Sequence, residues 1–283
     1  MASSGMFEGV FADLPVPFEE DGSVDWFALC RILENCRLHG CRRFLFGGNV
    51  EVDGLSEKEK RGVLEDAVLA AGKRGSVIAV LCAREGKRAL EGAVDAAFSG
   101  ASAILLQSSP GLSVSGCLRL ARAIAKETEA PVFLSASGRS AAECLALTGD
   151  PVCGFFEECS SIADKLFFSD FARRREDFAL FAPDEEALAL APAVSYTGAR
   201  SRLASCRPDI ALRLWRARRS STPDADLFRR ALTLSNVFAG DEGLPALKWA
   251  LHRLGLCSPT VRLPLCEPDD RLKADIERAL EVL

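Results

Sequence analysis

A single tyrosine, two histidines and two methionines stand among the 283 residues of this chain. The histidines, His39 and His252, lie far apart in helical patterns, so a His-rich metal centre is not available. A Ser-His-Asp arrangement would have to recruit one of them, and neither falls at a strand end. No segment reaches the ~18 consecutive apolar residues of a membrane-spanning helix. Met1-Ala2-Ser3-Ser4-Gly5 has neither the basic nor the apolar region of an export signal. A formal net charge of −5 gives no basic footprint for nucleic acid. No Gly-rich turn follows the first apolar run; Pro15-Val16-Pro17-Phe18 stands there and cannot cradle a pyrophosphate with backbone N–H groups. These absences predict a cytoplasmic protein with no cofactor, no metal, no nucleic-acid partner and no membrane partner.

Cysteine, by contrast, is abundant, with eleven residues. No Cys-x-x-Cys pair occurs, and most cysteines sit inside apolar runs, such as Cys30 and Cys36 at helical spacing and Cys82 and Cys153 on strand-like segments. The pattern predicts buried, reduced thiols.

Hydrophobic residues make up 48% of the chain, ample for a packed core. Short apolar runs at 9–16, 41–47, 76–81, 102–107, 131–135, 152–156, 178–182 and 198–202 alternate with helical patterns at roughly 24–39, 56–72, 85–99, 113–128, 140–147, 160–174, 184–194 and 206–219. Eight β-then-α units predict an α/β protein, a (β/α)8 barrel, with a doubly wound sheet as the alternative. Ser23, Ser56 and Ser113 precede helical patterns and are expected to cap them. Past residue 220 the alternation stops, and three helical patterns follow at 223–239, 243–254 and 269–281. The expected organisation is a barrel over 1–220 and a C-terminal three-helix extension over 221–283, forming one structural unit.

Several segments, in order, resemble the dihydrodipicolinate synthase / N-acetylneuraminate lyase family of pyruvate-type class I aldolases. Pro17-Phe18 and Asp21-Gly22-Ser23-Val24-Asp25 resemble its opening Thr-Pro-Phe and Asp-Gly-x-Val-Asp. Gly47-Gly48-Asn49-Val50-Glu51 resembles its Gly-Thr-Thr-Gly-Glu loop, and Gly138-Arg139-Ser140 its Gly-Arg-Thr. Gly154-Phe155-Phe156-Glu157-Glu158 resembles Gly-x-Lys-Glu, and Asp184 with Glu185 the Gly-Asp-Asp after strand seven. Ala246-Leu247-Lys248 and Val261-Arg262-Leu263-Pro264-Leu265 resemble the C-terminal region. The resemblance implies a family barrel, commonly a homo-oligomer (tetramer or dimer).

It also implies a chemistry that needs an amine to form a Schiff base, a tyrosine relay for protons, a loop for the oxo-acid carboxylate and an arginine for the second substrate. Phe156 stands at the lysine's place and a phenyl ring cannot condense with a carbonyl. Ser135 stands at the tyrosine's place, and Ser109 and Pro110 at that of the second tyrosine. Gly48 and Asn49 replace the paired threonines. Glu51 and Arg139 remain. Lys165 is the best relocated amine, while Lys58, Lys60, Lys73, Lys87, Lys126, Lys248 and Lys273 are expected to face outward. Tyr196, just before strand eight, is not expected to supply a relay.

Three readings follow. One is a pseudoenzyme or small-anion-binding barrel whose pocket draws on Gly48, Asn49, Glu51, Ser135, Arg139, Phe156, Glu158, Asp184 and Arg200, with a small carboxylate or sugar-acid ligand. In it, Arg200 either binds an anion or pairs with Glu51, Glu157, Glu158 or Asp184. The second is a carbon–carbon lyase acting on a 2-oxo acid or sugar acid through other groups, with a carboxylate as base. The third is a structural subunit that partners an active paralogue.

Overall fold

The computed structural model describes residues 4–107, 112–135, 139, 141–148, 150–158, 161–175, 177–188, 194–218, 224–240 and 242–283. Eight parallel strands close into one barrel in sequence order: β1 (Gly9–Asp13), β2 (Arg43–Gly47), β3 (Ser76–Cys82), β4 (Ala103–Gln107), β5 (Val132–Ser135), β6 (Val152–Phe156), β7 (Ala179–Ala182) and β8 (Gly198–Ser201). The last pairs with the first, Phe11 beside Arg200. The doubly wound alternative is excluded by that closure. Ser109, Pro110, Gly138 and Ser140 lie outside the described residues.

The helices in chain order are α1 (Trp26–Leu38), α2 (Val50–Asp53), α3 (Glu57–Ala71), α4 (Gly86–Phe98), α5 (Val114–Thr128), α6 (Ala141–Ala146), α7 (Ile162–Arg173), α8 (Glu185–Leu188), α9 (Leu203–Cys206), α10 (Pro208–Ala217), α11 (Ala225–Val237), α12 (Gly243–Arg253) and α13 (Asp270–Glu281). The one-turn helices α2 and α9 were not expected. Asn49 starts the first of them, its side chain accepting from the Glu51 and Val52 amides at 3.1 Å each. The pattern at 206–219 becomes the helix α10, which Pro208 opens just after α9 ends; proline at a first helical position forfeits no hydrogen bond.

Ser56 and Ser113 cap their helices as expected, the former in a full capping box with Glu59. At α1 the cap is instead Asp25, which accepts from the Ala28 amide at 2.8 Å, while the Ser23 hydroxyl turns back to Asp21. A carboxylate nearer the first turn meets the exposed amides and the helix dipole better than a hydroxyl two residues earlier.

Strand alternation sorts the side chains into two layers. Outward residues such as Val10, Phe44, Ile104 and Phe155 join the helices in the large core. Inward residues form a separate cluster that includes Phe11, Leu45, Ile78, Val80, Leu105, Phe133, Phe156 and Phe181. Phe7 enters this cluster from the preceding short 3-10 helix, its ring edge-on to Phe133 at 5.0 Å. The barrel is thus filled along its axis by phenyl rings, each worth about 1.5–3 kcal/mol when fully buried.

Candidate functional site

By strand parity, the inward positions at the C-terminal ends of the strands are Asp13, Gly47, Cys82, Gln107, Ser135, Phe156 and Arg200. This is the face of a (β/α)8 barrel from which loops build a binding site. Backbone geometry shapes one side of it. Gly47 and Gly48 hold φ of 116° and 69°, a region open to glycine but strained for other residues. A Cβ at Gly48 would lie 2.6 Å from Val80 Cγ1 and 3.0 Å from Gln107 Oε1. Glycine is therefore required where the β2 loop closes over β3 and β4.

Phe156, at the end of β6, is fully buried. Its ring stacks on Phe181 at 4.3 Å with an interplanar angle of 4°, and Phe133 meets it edge-on at 6.5 Å. Ser135 is its register partner on β5 and is also buried.

Across the barrel, Arg200 donates from Nε (2.9 Å) and Nη2 (2.6 Å) to one oxygen of Asp13, Oδ2. The acid partner of Arg200 is therefore Asp13 rather than Glu51, Glu157, Glu158 or Asp184. The Asp13 charge raises the Arg200 guanidinium further above its usual range, and Glu158 adds a smaller push in the same direction. Arg202 Nε reaches the same Asp13 oxygen at 3.6 Å, and its Nη1 donates to the Phe238 carbonyl. Asp13 Oδ1 is buried and has no hydrogen-bond partner among the described residues. Asp13 carried no site signal in isolation. The available signal was an acid at an inward position of β1 and an arginine at an inward position of β8, strands that become neighbours only when the barrel closes.

The other expected site residues go elsewhere. Arg139 donates to the Leu112 carbonyl at 2.7 Å and to Cys117 Sγ at 3.1 Å, beside the start of α5. Asp184 is exposed and caps α8, accepting from the Ala187 amide at 2.8 Å. Glu185 beside it is fully buried. It accepts from the hydroxyls of Ser201 and Ser235, and burial raises its carboxyl above the ordinary range.

Glu51 is buried and takes a 2.6 Å bond from Lys248 of α12. Lys248 was expected to face outward; it is instead fully buried, donates to the Thr260 carbonyl at 3.0 Å, and lies over the Phe18 ring. The outward expectation treated α12 as a surface helix, but α12 is buried on most of its faces. Burial pushes the Glu51 carboxyl up and the Lys248 amine down, each against the attraction of its partner.

Glu157 follows the inward Phe156 and so turns to the outer side of the wall. There it accepts from Lys165 on both oxygens at 3.0 Å and from the Tyr196 hydroxyl at 2.9 Å. The only tyrosine thus lies closer to the β6 end than its place in the sequence suggested. None of the eight lysines lies on a strand. Among the described residues no group of three or more metal-binding side chains occurs, and no helix is long and apolar enough to cross a membrane.

No family model matches the chain. It is 27% identical over 289 residues to the 4-hydroxy-tetrahydrodipicolinate synthase of Bartonella bacilliformis, with 98% of each chain covered. Its fold superposes on dihydrodipicolinate synthase from Oceanobacillus iheyensis with a TM-score of 0.86 at 20% identity, covering 98% of this chain and 97% of that one. N-acetylneuraminate lyase from Fusobacterium nucleatum gives a TM-score of 0.83 at 18% identity, covering 98% and 99%.

Proposed function

The chain belongs to the dihydrodipicolinate synthase / N-acetylneuraminate lyase family, and from that premise we propose a barrel without Schiff-base aldol chemistry that holds a small carboxylate or sugar acid at its C-terminal mouth. The observation that carries this reading is Phe156. An imine requires an unprotonated amine aimed at the substrate carbonyl. The inward position at the end of β6 instead presents a phenyl ring packed face to face on Phe181. Lys165 is bound to Glu157 outside the wall, and Lys248 is buried against Glu51.

What remains at the mouth is a guanidinium, the group best suited to a planar carboxylate. Arg200 Nη1 has no partner among the described residues. The proposed protein is cytoplasmic and a homo-oligomer, with residues 1–220 and 221–283 acting as one unit.

A second reading is favoured by the full-length match to relatives named 4-hydroxy-tetrahydrodipicolinate synthase. In it the barrel remains a lyase or aldolase on a 2-oxo acid or sugar acid through a changed mechanism, with a carboxylate such as Glu158 as base and Arg200 as electrophile.

Borohydride trapping with pyruvate, read by intact mass, tests the first reading. No adduct is expected. A stoichiometric adduct would overturn it, and peptide mapping would then identify the lysine.

A further inference from the structure

Resting on the carboxylate-binding reading above, the groups around Arg200 also limit what else the ligand must carry. The Asp13–Arg200 pair is lopsided. Both Arg200 bonds, and the longer approach of Arg202, fall on Asp13 Oδ2. Oδ1 is buried without a donor, although the side chain is only 5% exposed. An unmatched buried acceptor is unfavourable, so a donor brought by the mouth's occupant would be rewarded. Arg200, 21% exposed, keeps Nη1 uncommitted among the described residues.

One ion pair therefore presents a cationic donor and, beside it, an anionic acceptor. A ligand that meets both has a carboxylate and, on the adjacent carbon, an N–H or O–H. A 2-oxo acid places a carbonyl oxygen there, and its lone pairs would face a carboxylate. Glu158, which adds negative charge near Arg200, increases that mismatch. Phe156, Phe181 and Phe133 belong to the apolar cluster that fills the barrel interior.

We propose that the barrel mouth selects 2-hydroxy or 2-amino carboxylates over 2-oxo acids, with Arg200 taking the carboxylate and Asp13 Oδ1 taking the donor on the neighbouring carbon.

Calorimetric titration of the full chain with D- and L-lactate, alanine, pyruvate, acetate and 2-methoxypropanoate tests this. Lactate or alanine is expected to bind roughly 10–100-fold more tightly than the other three, the span of one charge-assisted hydrogen bond. Methoxypropanoate keeps an oxygen on the neighbouring carbon but carries a methyl group in place of the donor hydrogen, so it is read together with pyruvate and acetate, which lack the donor without the added bulk. Asp13→Asn, which replaces one acceptor with a donor, should narrow or reverse the preference for lactate over pyruvate. Arg200→Met should remove binding of every acid. Equal affinity for lactate, pyruvate and methoxypropanoate would overturn the donor requirement and leave carboxylate binding intact. No binding of any acid would overturn both.

Discussion

At position 156 a phenyl ring is held by a parallel partner, Phe181, and by the edge of Phe133. Such a ring is part of the packing, so truncating it leaves a cavity lined by other rings. Phe156→Ala is expected to cost about 3–5 kcal/mol in urea unfolding. Phe156→Lys places an ammonium among apolar rings and should destabilise further. The buried pair Glu51–Lys248 behaves differently. Lys248→Met alone strands a buried carboxylate and should cost about 3–5 kcal/mol, whereas Glu51→Gln with Lys248→Met should recover most of the loss. A double-mutant cycle measures that recovery. A motif drew attention to position 156; Lys248 was misplaced because helical periodicity does not reveal a second layer of helices over the first.

Among the elements, the short segments were the hardest to foresee. Strand periods were readable at all eight positions to within a few residues, since buried parallel strands are continuous apolar runs. The single turns α2 and α9 have no periodicity to read. They matter because they carry Glu51 and fix the approach to Arg202. Gly48→Ala, just before α2, should cost about 1–2 kcal/mol for a non-glycine residue in a left-handed conformation, with the clash against Val80 added; thermal unfolding measures it.

Glu185 ties α8 to β8 through Ser201 and to α11 through Ser235. Its folded carboxyl lies above its unfolded value of 4.5, and burial is the main cause. Its contribution is therefore complete below about pH 4.5 and is lost as pH rises through the higher folded value. Glu185→Gln should flatten that part of the stability–pH profile, read by denaturant titration across the acid-to-neutral range. Glu59 runs the opposite way. Its bond from Arg262 lowers the carboxyl to about 2, so its contribution is present above pH 4.5 and lost as pH falls towards 2.

For the whole molecule, α11, α12 and the segment between α12 and α13 are tied into the barrel. Lys248 reaches Glu51, Ser235 reaches Glu185, and Arg262 reaches Glu59 and lies over the Phe18 ring. A chain ending at residue 224 should leave Glu51 and Glu185 without these partners and lose its cooperative thermal transition, as followed by circular dichroism. A sharp transition in that fragment would show that the barrel folds alone. The barrel and its helical tail were legible from alternation and its cessation. The mouth was legible only in part, because the Asp13–Arg200 contact joins residues 187 positions apart in the chain and no local pattern records such a pair.

The solitary tyrosine has a practical consequence. Tyr196 is almost wholly buried, and its hydroxyl donates to a carboxylate that also holds Lys165. Every tyrosine signal in the ultraviolet spectrum therefore reports on one place, the seam where α7 meets the strands. The environment-sensitive part of that signal should therefore change as the seam opens and the buried ring meets water. The protein carries its own optical gauge of local opening, with no label and no other tyrosine to subtract.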